Sequence, residues 1–411
     1  MNEELLNALP PMLSGDELLT ALSNFPPLDK DIDRMSKPAR LIALADLYNI
    51  YVPSKMSLEI YSKLYLAMLR SMQKKQTKIA IRQSYENHKG ARGQEYNGII
   101  GGADSFTIIG VSGIGKSTAI NRALNQIANN QIITLEKPYC KIIPCMVVQC
   151  PFDCSVKGLL LEVLRKVDEV LESNYYNNAL RARATTDMLI GSVSQVALNH
   201  IGLLIVDEIQ NVVNSKNGKT LIGALTQLIN NSGISIGMIG TPECEKFFES
   251  ALQLARRSVG LKYNAMPYDL YFETFCKVLF DYQYVTHKAE LTAGLTEWLF
   301  EHSAGITSVV VSLMHDAQET AILTGRETLD LVSLNQAYNQ RLNLLHSYIE
   351  PSIISNKQVS DVKPKAIINV DPQGVFDNKI SILSLVQKAK SESLDIVDLI
   401  REHYSVTEVK L

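Results

Sequence analysis

The stretch Phe106-Thr107-Ile108-Ile109-Gly110-Val111-Ser112-Gly113-Ile114-Gly115-Lys116-Ser117-Thr118 decides the fold. An apolar, strand-like run ending at Gly110 passes into the pattern G-x-x-x-x-G-K-[ST], and Lys116 to Ala128 reads as the helix that follows. Strand, glycine loop and helix in that order aim backbone N–H groups and the positive helix end at one point. That geometry holds phosphate oxygens. In such a loop Lys116 pairs with the β and γ phosphates and the Ser117 hydroxyl ligates magnesium. Gly110, Ser112, Gly113, Ile114, Gly115 and Thr118 complete the cradle. The cofactors implied are ATP and Mg2+.

Outward from the loop, apolar runs alternate with helical segments. Ile142 to Gln149 reads as a second strand, Val156 to Leu171 as a helix with Leu159, Leu160, Val163, Leu164 and Val167 on one face, and Leu203 to Val206 as a third strand. Thr220 to Ile229 is then helix and Ile234 to Ile239 strand. The fold class expected is therefore α/β, a parallel sheet flanked by helices. The third strand delivers Asp207 and Glu208 at its carboxyl end, where open α/β sheets bind ligands. Asp207 is placed to hold magnesium through its water shell, and Glu208 to orient and deprotonate an attacking water. The next strand ends in Gly240-Thr241-Pro242, so the Thr241 hydroxyl is either a γ-phosphate sensor or a helix N-cap. Arg256 and Arg257 follow in a helical stretch, either as a solvated face or as an arginine finger for a neighbouring subunit.

Organisation around this core is asymmetric. Residues 1–94 read as an N-terminal helical extension with many prolines, including a helix from Leu58 to Ile81, and a loop from Tyr85 to Gly102 leads from it into the core. Residues 95–261 are the α/β core. Helical periodicity through Tyr268 to Tyr282, Thr292 to His302, Val309 to Leu323 and Ser333 to Tyr348 makes 262–350 a small all-helical lid. Residues 351–411 read as a linker and a short tail with two amphipathic helices, near Ile380 to Ala389 and Leu394 to His403, so both ends are expected to be flexible extensions.

With 411 residues, 46% of them hydrophobic, and a net charge of -3, the chain is neither uniformly basic nor membrane-like. Its start carries Glu3 and Glu4 and does not read as a secretory signal, so the expected location is cytoplasmic. Cys140, Cys145, Cys150 and Cys154 cluster without paired C-x-x-C knuckles, which favours reduced thiols over a zinc site.

Together the segments Gly110 to Thr118, Leu-Leu-Ile-Val-Asp-Glu-Ile-Gln-Asn (Leu203 to Asn211), Met-Ile-Gly-Thr-Pro-Glu (Met238 to Glu243) and Arg256-Arg257 resemble the AAA+ transposition regulators of the TnsC/TniB type. Gln149 to Lys157, and Ala304-Gly305-Ile306 leading to Ala317-Gln318, extend the resemblance over roughly residues 95 to 345. It implies an AAA+ P-loop ATPase, DNA-associated and prokaryotic, that assembles as a homo-oligomeric ring or filament on double-stranded DNA without sequence specificity. It also implies partners: a target-selection protein on one side, transposase and endonuclease subunits on the other. One departure is that Gly305-Ile306-Thr307-Ser308-Val309 offers no sensor arginine.

Two regions are candidates for DNA. Arg70 to Arg92 holds Lys74, Lys75, Lys78 and Arg82 among seven basic residues against Glu86 alone, which reads as a phosphate-binding stripe or a solvated helix face. The resemblance places a second around Lys157 and Arg181-Ala182-Arg183-Ala184-Thr185, facing a ring's channel. The tail is suited to a helix-in-groove contact with transposase or to docking on its own core. Two competing functions remain at this point: a ligand-gated signalling or defence ATPase that ignores DNA, and an initiator-like helicase-loading ATPase.

Overall fold

Strand β1, Ser105–Gly110, is buried at all its positions, and so is β5, Ser235–Gly240. The computed structural model describes residues 7–75, 77–102, 104–128, 132–136, 139–250 and 260–341. Within them β1, β2 (Ile133–Glu136), β3 (Tyr139–Gln149), β4 (Ile201–Asp207), β5 and β6 (Leu261–Tyr263) form one sheet in the order β2-β3-β4-β5-β1-β6. Every pairing is parallel except β2 with β3. The central strands β1, β4 and β5 are buried almost throughout because helices cover both faces, whereas the edge strand β2 alternates buried and exposed positions. The result is the α/β sheet flanked by helices that the sequence predicts, with a helical part after it.

The helix Lys116–Ala128 starts directly after the glycine loop, and Val156–Leu171 lies at the predicted bounds, capped by Ser155 Oγ accepting from the Gly158 N–H at 3.1 Å. Thr186–His200 and Gly218–Ser232 pack beside them over Leu189, Val193, Leu221 and Leu225. In the helical part that the sequence reads as a lid, Leu270–Asp281, Ala293–Ser303, Thr307–Thr324 and Leu331–Arg341 surround Phe272, Leu279, Leu299, Val310 and Leu313. The expected continuation of the last helix to Tyr348, the linker and the tail lie outside the described residues, as do Arg256 and Arg257. The chain divides into Met1–Ile353 and Ile354–Leu411, and the second unit lies wholly outside the described residues.

Three expectations need correction. The predicted helix from Leu58 to Ile81 is two helices, Lys55–Lys74 and Lys78–Ala91, so the stretch read as loop from Tyr85 to Gly102 is helical up to Ala91 and irregular only after it. Thr77 starts the second by accepting from the Ala80 N–H at 3.1 Å. Edge strands β2 and β6 also escaped the sequence reading. Thirdly, the N-terminal extension between Leu9 and Ile50 is not loose. Leu9, Leu18 and Leu22 join the apolar layer beneath the sheet, while Leu44, Leu47 and Ile50 join the lid core. A fully buried leucine contributes about 2 kcal/mol, enough to hold short helices that would not persist alone. The latch is polar: Arg40, 3% exposed, bonds both carboxylate oxygens of Glu327, at 2.6 and 2.8 Å, and the Tyr284 carbonyl at 3.0 Å.

Candidate functional site

At the carboxyl edge of the sheet, the ends of β1, β4 and β5 converge on a cleft of about 290 Å³. Ser112, Gly113, Gly115, Lys116, Ser117, Thr118, Asp207, Glu208 and Thr241 all line it. Sequence positions separated by more than a hundred residues therefore meet as predicted. Gly113 and Gly115 hold φ of 82° and 88°, which frees the loop to turn its amides inward. A Cβ on Gly110 would sit 2.8 Å from the Tyr263 carbonyl, so that position is closed to larger residues. Lys116 Nζ donates to the Gly110 and Val111 carbonyls at 2.6 and 2.8 Å. Burial lowers the Lys116 pKa, and the facing Asp207 and Glu208 carboxylates oppose that shift.

The acidic pair is held by its own neighbours. Asp207 Oδ1 accepts from the Glu208 N–H at 2.8 Å, and Gln210 Nε2 donates to Glu208 Oε2. Glu208 itself sits at φ 57°, a left-handed conformation that costs a glutamate roughly 1 kcal/mol or more. That conformation points the carboxylate into the cleft instead of continuing the strand. The sequence reading missed Gln210. Its signal was its place two residues beyond Glu208, inside the segment Leu203 to Asn211 that carries the resemblance.

Thr241 does not cap a helix through its hydroxyl: the short turn Pro242–Cys244 has no side-chain cap bond. Its Oγ1 is buried without a hydrogen-bond partner while the residue lines the cleft. An orphaned hydroxyl costs stability unless something in the cleft completes it.

Ile114 does not face the cleft. Its side chain is buried and lines a second, apolar cavity of about 390 Å³ behind the loop, shared with Ile50, Val52, Tyr263, Pro267 and Val311. Gly115 lines both cavities, so they adjoin across the loop. An apolar slot next to a phosphate cradle suits a nucleoside base. No local sequence motif marks it, because its walls come from the N-terminal extension, β6 and the lid.

The lid reaches the loop through short side chains. Ser308 donates its N–H to the Gly113 carbonyl at 3.0 Å, Thr307 Oγ1 reaches the Ile114 carbonyl at 3.4 Å, and Ser308 lines the cleft.

Residues 100–248 match the family model for an AAA domain. This segment is an AAA-family ATPase domain. No curated protein matches the chain. Among solved structures, it is similar to the Orc1 protein of Aeropyrum pernix in complex with DNA, with a TM-score of 0.41, 13% identity, and 63% of each chain covered. It is also similar to the Aeropyrum pernix Orc2 protein in its ADP form (TM-score 0.39, 15% identity, 64% of this chain and 66% of that one). A third is domain III of the Thermotoga maritima replication initiation protein DnaA (0.37, 16%, 79% and 100%). The chain thus spans less than two thirds of the Aeropyrum pernix proteins.

The predicted DNA contacts fall on separate faces. Lys75 is ruled out as a surface contact: it is 3% exposed, and its Nζ donates to the Ala197 and Leu198 carbonyls at 2.9 and 2.7 Å. It caps the last turn of Thr186–His200, and burial pulls its pKa down to about 7. Lys74 is held inward by the Gly101 and Gly102 carbonyls. Lys78 and Arg82 are exposed along one face of their helix with Tyr85 and Arg92, while Lys89 on the same face is half-buried and paired with Glu86 at 2.7 Å. Lys157, Arg181 and Arg183 are exposed elsewhere, and Thr185 Oγ1 accepts from the Met188 N–H at 3.4 Å as an N-cap.

No helix among the described residues is long and apolar enough to cross a membrane.

Proposed function

We propose that this chain is an ATP-hydrolysing switch that assembles on duplex DNA, acting as a transposition regulator of the type its motifs resemble. The observation that carries the ATPase reading is the unpartnered Thr241 Oγ1 in the same cleft as the Gly113–Lys116 loop and the Asp207–Glu208 pair. ATP supplies the phosphoric anhydride, and Mg2+ offsets its charge when bound. Ser117 and Asp207 are the residues to hold the ion, and the hydroxyl-plus-carboxylate donor set fits a hard cation. The base enters the apolar cavity at Ile114. Lys116 gives up its loop carbonyls for phosphate oxygens. Glu208, oriented by Gln210, takes the proton of the attacking water, and Thr241 fixes that water or the γ-phosphate.

Hydrolysis then alters assembly, because Ser308 and Thr307 bond the loop that grips the phosphates and so tie the lid to nucleotide state. In the assembled form Arg256 or Arg257 of one copy completes the next copy's site. Lys78, Arg82, Lys157, Arg181 and Arg183 supply backbone contacts that are indifferent to sequence. A target-selection protein and transposase are the partners this reading requires. The test is ATP turnover with and without random-sequence duplex DNA. The reading expects stimulation, and it fails if DNA changes neither turnover nor assembly.

A further inference from the structure

Phe152 is 90% exposed, on the loop between β3 and the helix Val156–Leu171. Burying a phenylalanine is worth about 2 kcal/mol, so an aromatic presented this fully to solvent needs a reason. The backbone beneath it is firmly held. Cys154 closes the turn at φ 52° by donating its N–H to the Pro151 carbonyl at 2.9 Å, and the Asp153 Oδ1 accepts from the Ser155 N–H at 3.0 Å. A second loop, after Glu208, is bonded to the first. Ser215 Oγ and Asn217 Nδ2 donate to the Asp153 carbonyl at 3.0 and 3.1 Å, and Asn211 Nδ2 donates to the Cys150 carbonyl at 3.0 Å.

The charge on the paired loops is one-sided. Lys157, Lys216 and Lys219 are all exposed, and none is paired with an acid among the described residues. Between 150 and 158, and between 211 and 219, Asp153 is the one acid. A rigid exposed aromatic among unpaired lysines is what a phosphate backbone with an apolar sugar edge would engage, whereas a protein partner would have to supply acids on a matching surface.

We infer that these two loops form a nucleic-acid contact in which Lys157, Lys216 and Lys219 bind backbone phosphates of duplex DNA and Phe152 lodges against the sugars between them. The inference rests on the DNA-binding reading above and adds Phe152, Lys216 and Lys219 to it. The contact is wired to the nucleotide site. Cys150 donates its N–H to the Asp207 carbonyl at 2.8 Å, and the second loop continues directly from Glu208. A shift of the acidic pair on hydrolysis moves both loops together.

The experiment is fluorescence anisotropy of a labelled random duplex against full-length protein, with a slowly hydrolysed ATP analogue, across a salt series. Wild type, Lys216→Glu/Lys219→Glu and Phe152→Ala are compared at equal nucleotide occupancy. The double variant is expected to lose about tenfold or more in affinity and to flatten the log–log salt slope by roughly 2. Phe152→Ala is expected to lose about fivefold or more with the slope unchanged, because it removes an uncharged contact. Wild-type affinity and slope in the double variant overturn the inference while leaving the DNA reading intact. Failure of the wild type to bind DNA in every nucleotide state overturns both.

Discussion

The backbone N–H of Ser308 donates to the carbonyl of Gly113 over 3.0 Å, joining the first turn of the lid helix Thr307–Thr324 to the phosphate loop. A Cβ on Gly113 would lie 2.4 Å from Ser308 Oγ, and the glycine stands at φ 82°. Lid and loop are therefore in contact at a position where only glycine fits. The segment Gly305 to Val309 carries no arginine and reaches the loop through the short side chains and backbone of Thr307 and Ser308.

Gly113→Ala should accordingly lower nucleotide affinity by about tenfold or more, since left-handed strain of roughly 1 kcal/mol adds to the clash with Ser308. Calorimetric titration with ADP measures it. Wild-type affinity in this variant would mean that the loop does not use this geometry.

At the acidic pair, Glu208→Gln is expected to bind ATP and cut turnover by about a hundredfold or more. Gln210→Ala should give a smaller loss, roughly tenfold, in kcat with KM little changed, because it frees the carboxylate without removing it. Equal turnover in wild type and Gln210→Ala would show that the bond to Glu208 is incidental.

Thr241→Val separates function from stability. Removing the orphaned hydroxyl leaves folding neutral or improved by on the order of 1 kcal/mol, yet turnover should fall. A variant that is as active as wild type removes Thr241 from the site. A variant that is strongly destabilised shows that the hydroxyl has a structural partner after all.

The Arg40–Glu327 latch predicts a pH dependence. Its bond to Arg40 holds the Glu327 carboxyl at about 2, below its ordinary range, so this contribution is complete above about 4.3 and is lost as pH falls towards 2. Arg40→Met leaves the partly buried Glu327 carboxylate with only its Thr286 partners and should cost about 3 kcal/mol at neutral pH. It should also shrink the acid-side decline in stability seen by urea unfolding. An acid limb as steep as the wild type's would assign the decline to other groups.

What the sequence made legible follows from where the signal is local. The glycine loop, the apolar run ending in Asp207-Glu208 and the strand ending in Thr241 each carry their own pattern, and the sheet brings all three to one edge. The helix Lys78–Ala91 was hidden because it buries Gln83, Asn87 and Gly90, not a hydrophobic stripe. Gln83 spends its amide on Asn87 Oδ1 and on the Ile99 and Ile100 N–H groups, which only the fold brings within reach. Lys75 looked like one more basic residue in a run, and nothing local said that the carbonyl end of Thr186–His200 would receive it. The apolar cavity behind the loop was invisible for the same reason.

Exchanging charges tests this partition directly. Lys78→Glu/Arg82→Glu should weaken DNA binding several-fold, while Lys75→Met should leave it unchanged but cost about 1 kcal/mol or more of stability, since it strips the Ala197 and Leu198 carbonyls of their buried donor. Weaker binding in Lys75→Met, at unchanged stability, would return that residue to the surface.

If nucleotide state controls assembly on DNA, negative-stain imaging of the purified protein with random duplex DNA and ATP, a slowly hydrolysed analogue, ADP or no nucleotide will show it. Rings or filaments on DNA with ATP or the analogue, and none with ADP, are the predicted result. A protein that stays monomeric and off DNA in every state would contradict the account and leave a nucleotide switch governed by some other ligand.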